Sequence, residues 1–144
     1  MVKQVSVFLK NQPGELMTVT GLLADNNINI KSLMVADTAD FGILRLILDD
    51  PEKAIEILKE NNFLVDSTDI IAVEMKDRPG GLNEIASLLG NEHLNIEYLY
   101  AFTHKSGNDA VLLLAITKDA HDKAIETLES NNFRIYSQED VPDL

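Results

Sequence analysis

Along the first ten residues, Val5, Val7 and Leu9 alternate with Ser6, Phe8 and Lys10. That period of two predicts a strand with one buried face. Pro13-Gly14 closes it, and Leu16, Val19, Leu22 and Leu23 then recur at the spacing of an amphipathic helix, which stops at the Asn26-Asn27 turn. Strand-like residues 28–35, a turn over 36–42 and a return strand over 43–48 follow, the pattern of a hairpin. Asp49 or Asp50 stands where a helix N-cap belongs, and Pro51 suits the first helical position. Ala54, Ile55 and Leu58 form the inner stripe of this second helix. Asn62 is suited to the left-handed conformation that closes it, and a last strand begins at Phe63.

The whole pattern then returns. Ile71-Ala72-Val73-Glu74-Met75-Lys76-Asp77-Arg78-Pro79-Gly80-Gly81-Leu82 answers the stretch from Val5 to Leu16, and Ile85, Leu88 and Leu89 continue the helical stripe from Leu82. Lys123-Ala124-Ile125-Glu126-Thr127-Leu128, closing on Asn131-Asn132-Phe133, copies Lys53-Ala54-Ile55-Glu56-Ile57-Leu58 with Asn61-Asn62-Phe63. Asp119 takes the place of the N-cap, and the second hairpin turn falls at 103–109. A spacing of roughly 65–70 residues is too long for a solenoid repeat and matches one small domain. The chain thus divides at residues 1–68 and 69–144, with Asp66-Ser67-Thr68-Asp69 expected as a turn between the halves. Strand, helix, strand, strand, helix, strand in each half predicts the ferredoxin-like α+β fold, βαββαβ, a four-stranded antiparallel sheet with both helices on one face.

Composition narrows the function classes. The net charge of −12 is spread over both halves, and a field of that sign repels phosphate backbones, so nucleic acid is not an expected partner. No apolar run approaches the roughly 20 residues of a membrane helix, and the chain enters a strand pattern from its first residues, which leaves no room for a signal peptide. With no cysteine there is neither disulfide nor thiol catalysis, which fits a cytoplasmic protein. His93, His104 and His121 have no counterparts in the other copy and lack metal-ligand spacing. They are read as surface histidines; no catalytic residue, metal or cofactor is expected, and the chain is not expected to be an enzyme.

The repeated loop is the candidate for binding. In both copies a strand ends in Lys10-Asn11-Gln12-Pro13-Gly14 or Lys76-Asp77-Arg78-Pro79-Gly80 and a helix starts at once. Unpaired N–H groups and the positive end of a helix dipole suit a carboxylate there, and glycine allows close approach to the backbone. Asn11 and Asp77 offer side-chain oxygens to an ammonium group, and Asn29 and Asn95 a second polar contact. Together these groups suit a free amino acid. The plainer alternative is turn chemistry, with Asn29 and Asn95 alternating outward from a strand.

The series Asn-x-Pro-Gly-x-Leu at Asn11 to Leu16, then an amphipathic helix, then Asn27-Ile28-Asn29-Ile30, the hairpin and the second helix, resembles the ACT domain, a small regulatory module that binds amino acids. The resemblance covers residues 5–67 and 71–137 in two copies. It implies two domains paired side by side into one continuous sheet. It also implies an amino-acid effector between the first loop of one domain and the second-strand start of its neighbour. By position, Asn11, Asn29, Asp77 and Asn95 are then the polar ligands, and Gly14, Leu16, Gly80 and Leu82 supply backbone contacts. The copies differ, since Asp77 replaces Asn11, Arg78 replaces Gln12 and can pair with Asp77, and Gly81 replaces Glu15. Tyr98 and Tyr100, where the first copy has Ser32 and Met34, suit either an effector contact or cross-strand packing.

The implied protein is a cytoplasmic amino-acid sensor, a homodimer that modulates an amino-acid metabolic enzyme. The rival is a ligand-free interaction module or regulatory subunit docked on such an enzyme through an edge strand, at residues 33–35 or 99–102. That edge equally suits pairing between the halves or between copies of the chain.

Overall fold

The computed structural model describes residues 1–37, 41–103, 107 and 109–144. It divides into two compact units, one of Lys3–Thr68 and one of Asp69–Leu144 with Met1–Val2. The N-terminal unit holds β1 (Val2–Lys10), α1 (Glu15–Asp25), β2 (Ile30–Asp37), β3 (Phe41–Leu48), α2 (Pro51–Glu60) and the start of β4 (Leu64–Lys76). The C-terminal unit continues with α3 (Gly81–Asn91), β5 (Ile96–Thr103), β6 (Asp109–Ile116), α4 (His121–Ser130) and β7 (Ile135–Tyr136). Residues 38–40 of the first hairpin tip and 104–106 and 108 of the second, with His104, lie outside the described residues.

In the N-terminal unit β3 lies between β2 and β1, antiparallel to each, with Val7 opposite Leu44 and Val35 opposite the same leucine. Val5, Val7, Leu9, Leu44, Leu46 and Leu48 meet Val19 and Leu23 of α1 and Ala54 and Leu58 of α2 in one core, so both helices cover the same sheet face. The C-terminal unit repeats this with Ile71, Val73, Leu112 and Leu114 against Ile85, Leu89, Ala124 and Leu128. Its β6 lies between β5 and β4, and β4 also pairs with β7. The α+β architecture with antiparallel strands and helices is therefore as the pattern predicts. Both copies also carry a register shift at the same place, between Ile30 and Ser32 and between Ile96 and Tyr98.

Several expectations are corrected. Residues 66–69 are not a turn: they run inside β4, giving seven strands rather than eight among the described residues. Without glycine or proline, nothing in Asp66-Ser67-Thr68-Asp69 breaks the extended chain. The last strand is only two residues long. A capping box ends it, in which Asp140 Oδ2 accepts from the Ser137 N–H at 2.7 Å and from its hydroxyl at 2.9 Å, and a 3₁₀ helix follows over Gln138–Asp143. Strand β1 is not buried on one face alone, because Gln4 and Ser6 are buried as well. Leu16 and Leu82, placed in the helical stripes by spacing, are 44% and 42% exposed, since the buried stripe begins one turn later at Val19 and Ile85.

The helix starts divide the same way. Asp50 caps α2, accepting from the Lys53 N–H at 3.2 Å with Pro51 in the first turn. Asp119 does not cap α4; it lies in a 3₁₀ turn over Lys118–Ala120, and the cap position is Ala120. That turn carries His121 inward, where it is buried, and its Nε2–H donates to the Ile116 carbonyl at 3.0 Å. The surface position expected for His121 is thus corrected. His93 is exposed and, like Asn27, Asn62 and Asn132, closes a helix with positive φ.

Candidate functional site

Both glycine turns have the same backbone. Gly14 (φ 91°) and Gly80 (φ 88°) are left-handed and stand at the N-caps of α1 and α3, a conformation in which a Cβ is costly. Their carbonyls accept the first helical bonds, from Thr18 at 2.9 Å and Glu84 at 3.0 Å. No side chain caps either helix. The first turn of each helix, with its positive dipole end, is suited to an anion.

Around this shared backbone the copies diverge. In the first, Gln12 Nε2 donates to Glu15 Oε1 at 2.9 Å, which places an acidic group in the first turn of α1. In the second, Gly81 occupies the Glu15 position, and a Cβ there would lie 2.1 Å from the Lys76 carbonyl oxygen. Glycine thus lets the loop fold tightly onto the end of β4. Arg78 pairs with Glu84 rather than with Asp77. Beside this loop lies a cleft of about 490 Å³ whose lining includes Met75, Asp77, Arg78, Gly80, Leu82 and Asn83.

The predicted residues fall into separate groups. Asp77, Gly80 and Leu82 share that cleft, and the loop residues Asn11, Gly14 and Leu16 are exposed together in the first copy. Asn29 and Asn95, both exposed, come after the far ends of α1 and α3. Each of those helices has 11 residues, so a length of about 16 Å at 1.5 Å per residue separates the glycine turn from the asparagine of its own copy. A single domain does not bring the two groups to one amino acid.

Asn29 is held by a residue whose role the pattern left open. Asp49 Oδ1 accepts from the Asn29 N–H at 2.9 Å, and the Asn29 carbonyl accepts from the Asp49 N–H at 3.3 Å. Through the pairings Ile30–Leu48 and Ile96–Ile116, Thr117 occupies the equivalent place beside Asn95. Tyr98 and Tyr100 are half-buried and sit across from Ala115 and Leu113, on the sheet face opposite the helices.

The charged end of β4 was not foreseen as a network. Lys76 Nζ lies 2.7 Å from Asp109 and 3.6 Å from Glu74, and the Asp109 hydrogen bond and charge raise the ammonium above its usual pKa. Glu74 also accepts from the Tyr136 hydroxyl at 3.1 Å, and the Arg134 guanidinium stands 4.8 Å from the Tyr136 ring centre. Among the described residues, no three His, Asp or Glu side chains gather to hold a metal, and no helix is long and apolar enough to cross a membrane.

The model of the ACT domain pair matches residues 1–144. A crystal structure of a protein from Bacteroides thetaiotaomicron is 38% identical, with a TM-score of 0.91 over 99% of this chain and 96% of that one. The ligand-free regulatory subunit of aspartate kinase from Thermus thermophilus shares the fold at 15% identity, with a TM-score of 0.66 over 90% of this chain and 91% of its own. The corresponding subunit from Thermus flavus is also 15% identical, with a TM-score of 0.62 over 89% and 90%. No curated protein matches. The duplicated strand-helix-strand-strand-helix pattern, the paired glycine turns and the match over the full length place this chain in the ACT domain-pair family.

Proposed function

We propose that this protein is a non-catalytic, cytoplasmic amino-acid sensor whose effector binds between ACT domains and biases their arrangement. The domains are residues 1–68 and 69–144, paired side by side. The effector's carboxylate meets the glycine turn of one domain, at Gly14 and Leu16 or at Gly80 and Leu82. Its ammonium meets Asn11 or Asp77 of that loop and Asn29 or Asn95 of a neighbouring domain. The observation that carries this reading is the helix-length separation of turn and asparagine within each copy, which makes a two-domain site the way to engage both ends of a zwitterion. A ligand that contacts two domains favours one relative orientation, and that shift in population is the signal passed to an amino-acid metabolic enzyme.

A melting-temperature screen against the common amino acids tests it. A ligand at about 100 times its dissociation constant adds roughly 2.7 kcal/mol, a rise of several degrees for a chain of this size. Asn29→Ala should remove a shift that depends on the first-copy asparagine, and Asn95→Ala one that depends on the second. If no amino acid moves the midpoint, the sensing reading fails. The ligand-free docking module then takes its place, a reading favoured by Leu33 and Val35, each 49% exposed on strand β2.

A further inference from the structure

A second cleft, of about 340 Å³, lies in the N-terminal unit. Phe8, Phe41 and Phe63 line it together with Leu64, Lys10 and Glu15. Lys10 pairs in register with Phe41, so these side chains leave the same sheet face, opposite the helices, as does Phe8. The equivalent place in the C-terminal unit has different chemistry. There Glu74 stands for Phe8, Asp109 for Phe41 and Arg134 for Leu64, and Lys76, the counterpart of Lys10, is neutralised by the two carboxylates. In the N-terminal unit both carboxylates are replaced by phenyl rings. Among the described residues, no carboxylate pairs with the Lys10 ammonium.

We propose that this cleft binds a small monocarboxylate bearing an aromatic ring, the ring lying among Phe8, Phe41 and Phe63 and the carboxylate on Lys10. Asn61 and Asn62 also line the cleft, but its three phenyl rings and Leu64 supply the apolar wall that takes a ring, and phenyl groups meet other rings edge to face or offset-stacked. An ammonium at the rim of such walls selects an anion. Glu15, also in the lining and already accepting from Gln12, repels a second carboxylate, so one negative charge fits and two do not. The cleft adjoins the first-copy glycine turn, with Lys10 preceding Asn11 and Glu15 between Gly14 and Leu16, but its rings and lysine use neither Asn29 nor Asn95, so Asn29→Ala should leave phenylacetate binding unchanged while it removes an amino-acid response.

Amide chemical shifts of the isotope-labelled full chain, titrated with phenylacetate, test the proposal. Saturable shifts are expected at Lys10, Phe41 and Phe63, with acetate weaker by about tenfold or more because it buries no ring. Phenethylamine should give no saturable shift at these positions. Lys10→Gln and Phe41→Asp alter exposed side chains, leave the spectrum dispersed and should each weaken phenylacetate by about tenfold. Phe8→Glu with Phe41→Asp, which rebuilds the C-terminal chemistry, should abolish it. Four outcomes overturn the proposal: no saturable shift, acetate as effective as phenylacetate, shifts that survive both single variants, or ligand-free concentration-dependent shifts at these residues that Phe41→Asp removes. The last would mean that a second copy of the chain covers the cleft.

Discussion

Two adjacent glycines carry different burdens. Gly80 needs its left-handed φ of 88° but has open space where a Cβ would go, whereas a Cβ on Gly81 would meet the Lys76 carbonyl oxygen at 2.1 Å. Gly80→Ala should therefore cost about 1 kcal/mol for the strained backbone, and Gly81→Ala about 2–3 kcal/mol for overpacking against a rigid main chain. Urea denaturation would check this, and equal losses would contradict it. Tyr136 is the second case. Burial, then the Glu74 hydrogen bond and charge, push its hydroxyl from 10.0 up to about 12. With the folded value above the unfolded one, its stabilisation is intact below pH about 10 and is lost as pH rises toward 12, because the unfolded chain ionises first. In a Tyr98→Phe, Tyr100→Phe background, phenolate absorbance should titrate near 12 and fall to lower pH in Glu74→Gln; a midpoint near 10 would refute the assignment. The left-handed glycines were legible because Pro-Gly before a helix is a local signal. The Tyr136–Glu74 contact was not, since 62 residues separate its partners.

Among the elements, helix starts separate what short-range chemistry decides from what it does not. Asp50→Ala should destabilise the protein by about 1 kcal/mol, the loss of an N-cap, while Asp119→Ala should stay within about 0.5 kcal/mol because its side chain caps nothing. Thermal or denaturant midpoints of the pair check the contrast, and a similar loss in both would contradict it. The sequence offers an aspartate at both places; the difference arises because a 3₁₀ turn precedes α4 and buries His121 against the Ile116 carbonyl. Strand and helix identities followed from periodicity because each inner face meets one continuous core. Strand ends did not follow, since β7 stops at the Ser137–Asp140 capping box, and β4 continues through residues with no breaker.

For the molecule as a whole, the exposed strand β2 is where assembly is expected. Leu33 and Val35 are each half exposed on it, and an unpaired apolar edge is a template for another strand. If a homodimer forms there, Val35→Lys should convert a dimer into a monomer in size-exclusion chromatography with light scattering, and should do so without lowering the melting midpoint of the monomer. A dimer mass that survives the lysine would place the interface elsewhere. The sequence by itself determined the duplication, the α+β class, the helical and strand faces and the two glycine turns, because each is written in periodicity or in the steric limits of one residue. Only the tertiary structure decided that turn and asparagine stand a helix length apart, that Arg78 chooses Glu84 over Asp77, and that one cleft is lined by phenylalanines where its twin holds ion pairs. The clefts depend on which distant side chains meet across strands, a meeting no local pattern encodes, and the choice made by Arg78, only six residues from Glu84, depends on how the loop folds onto the end of β4.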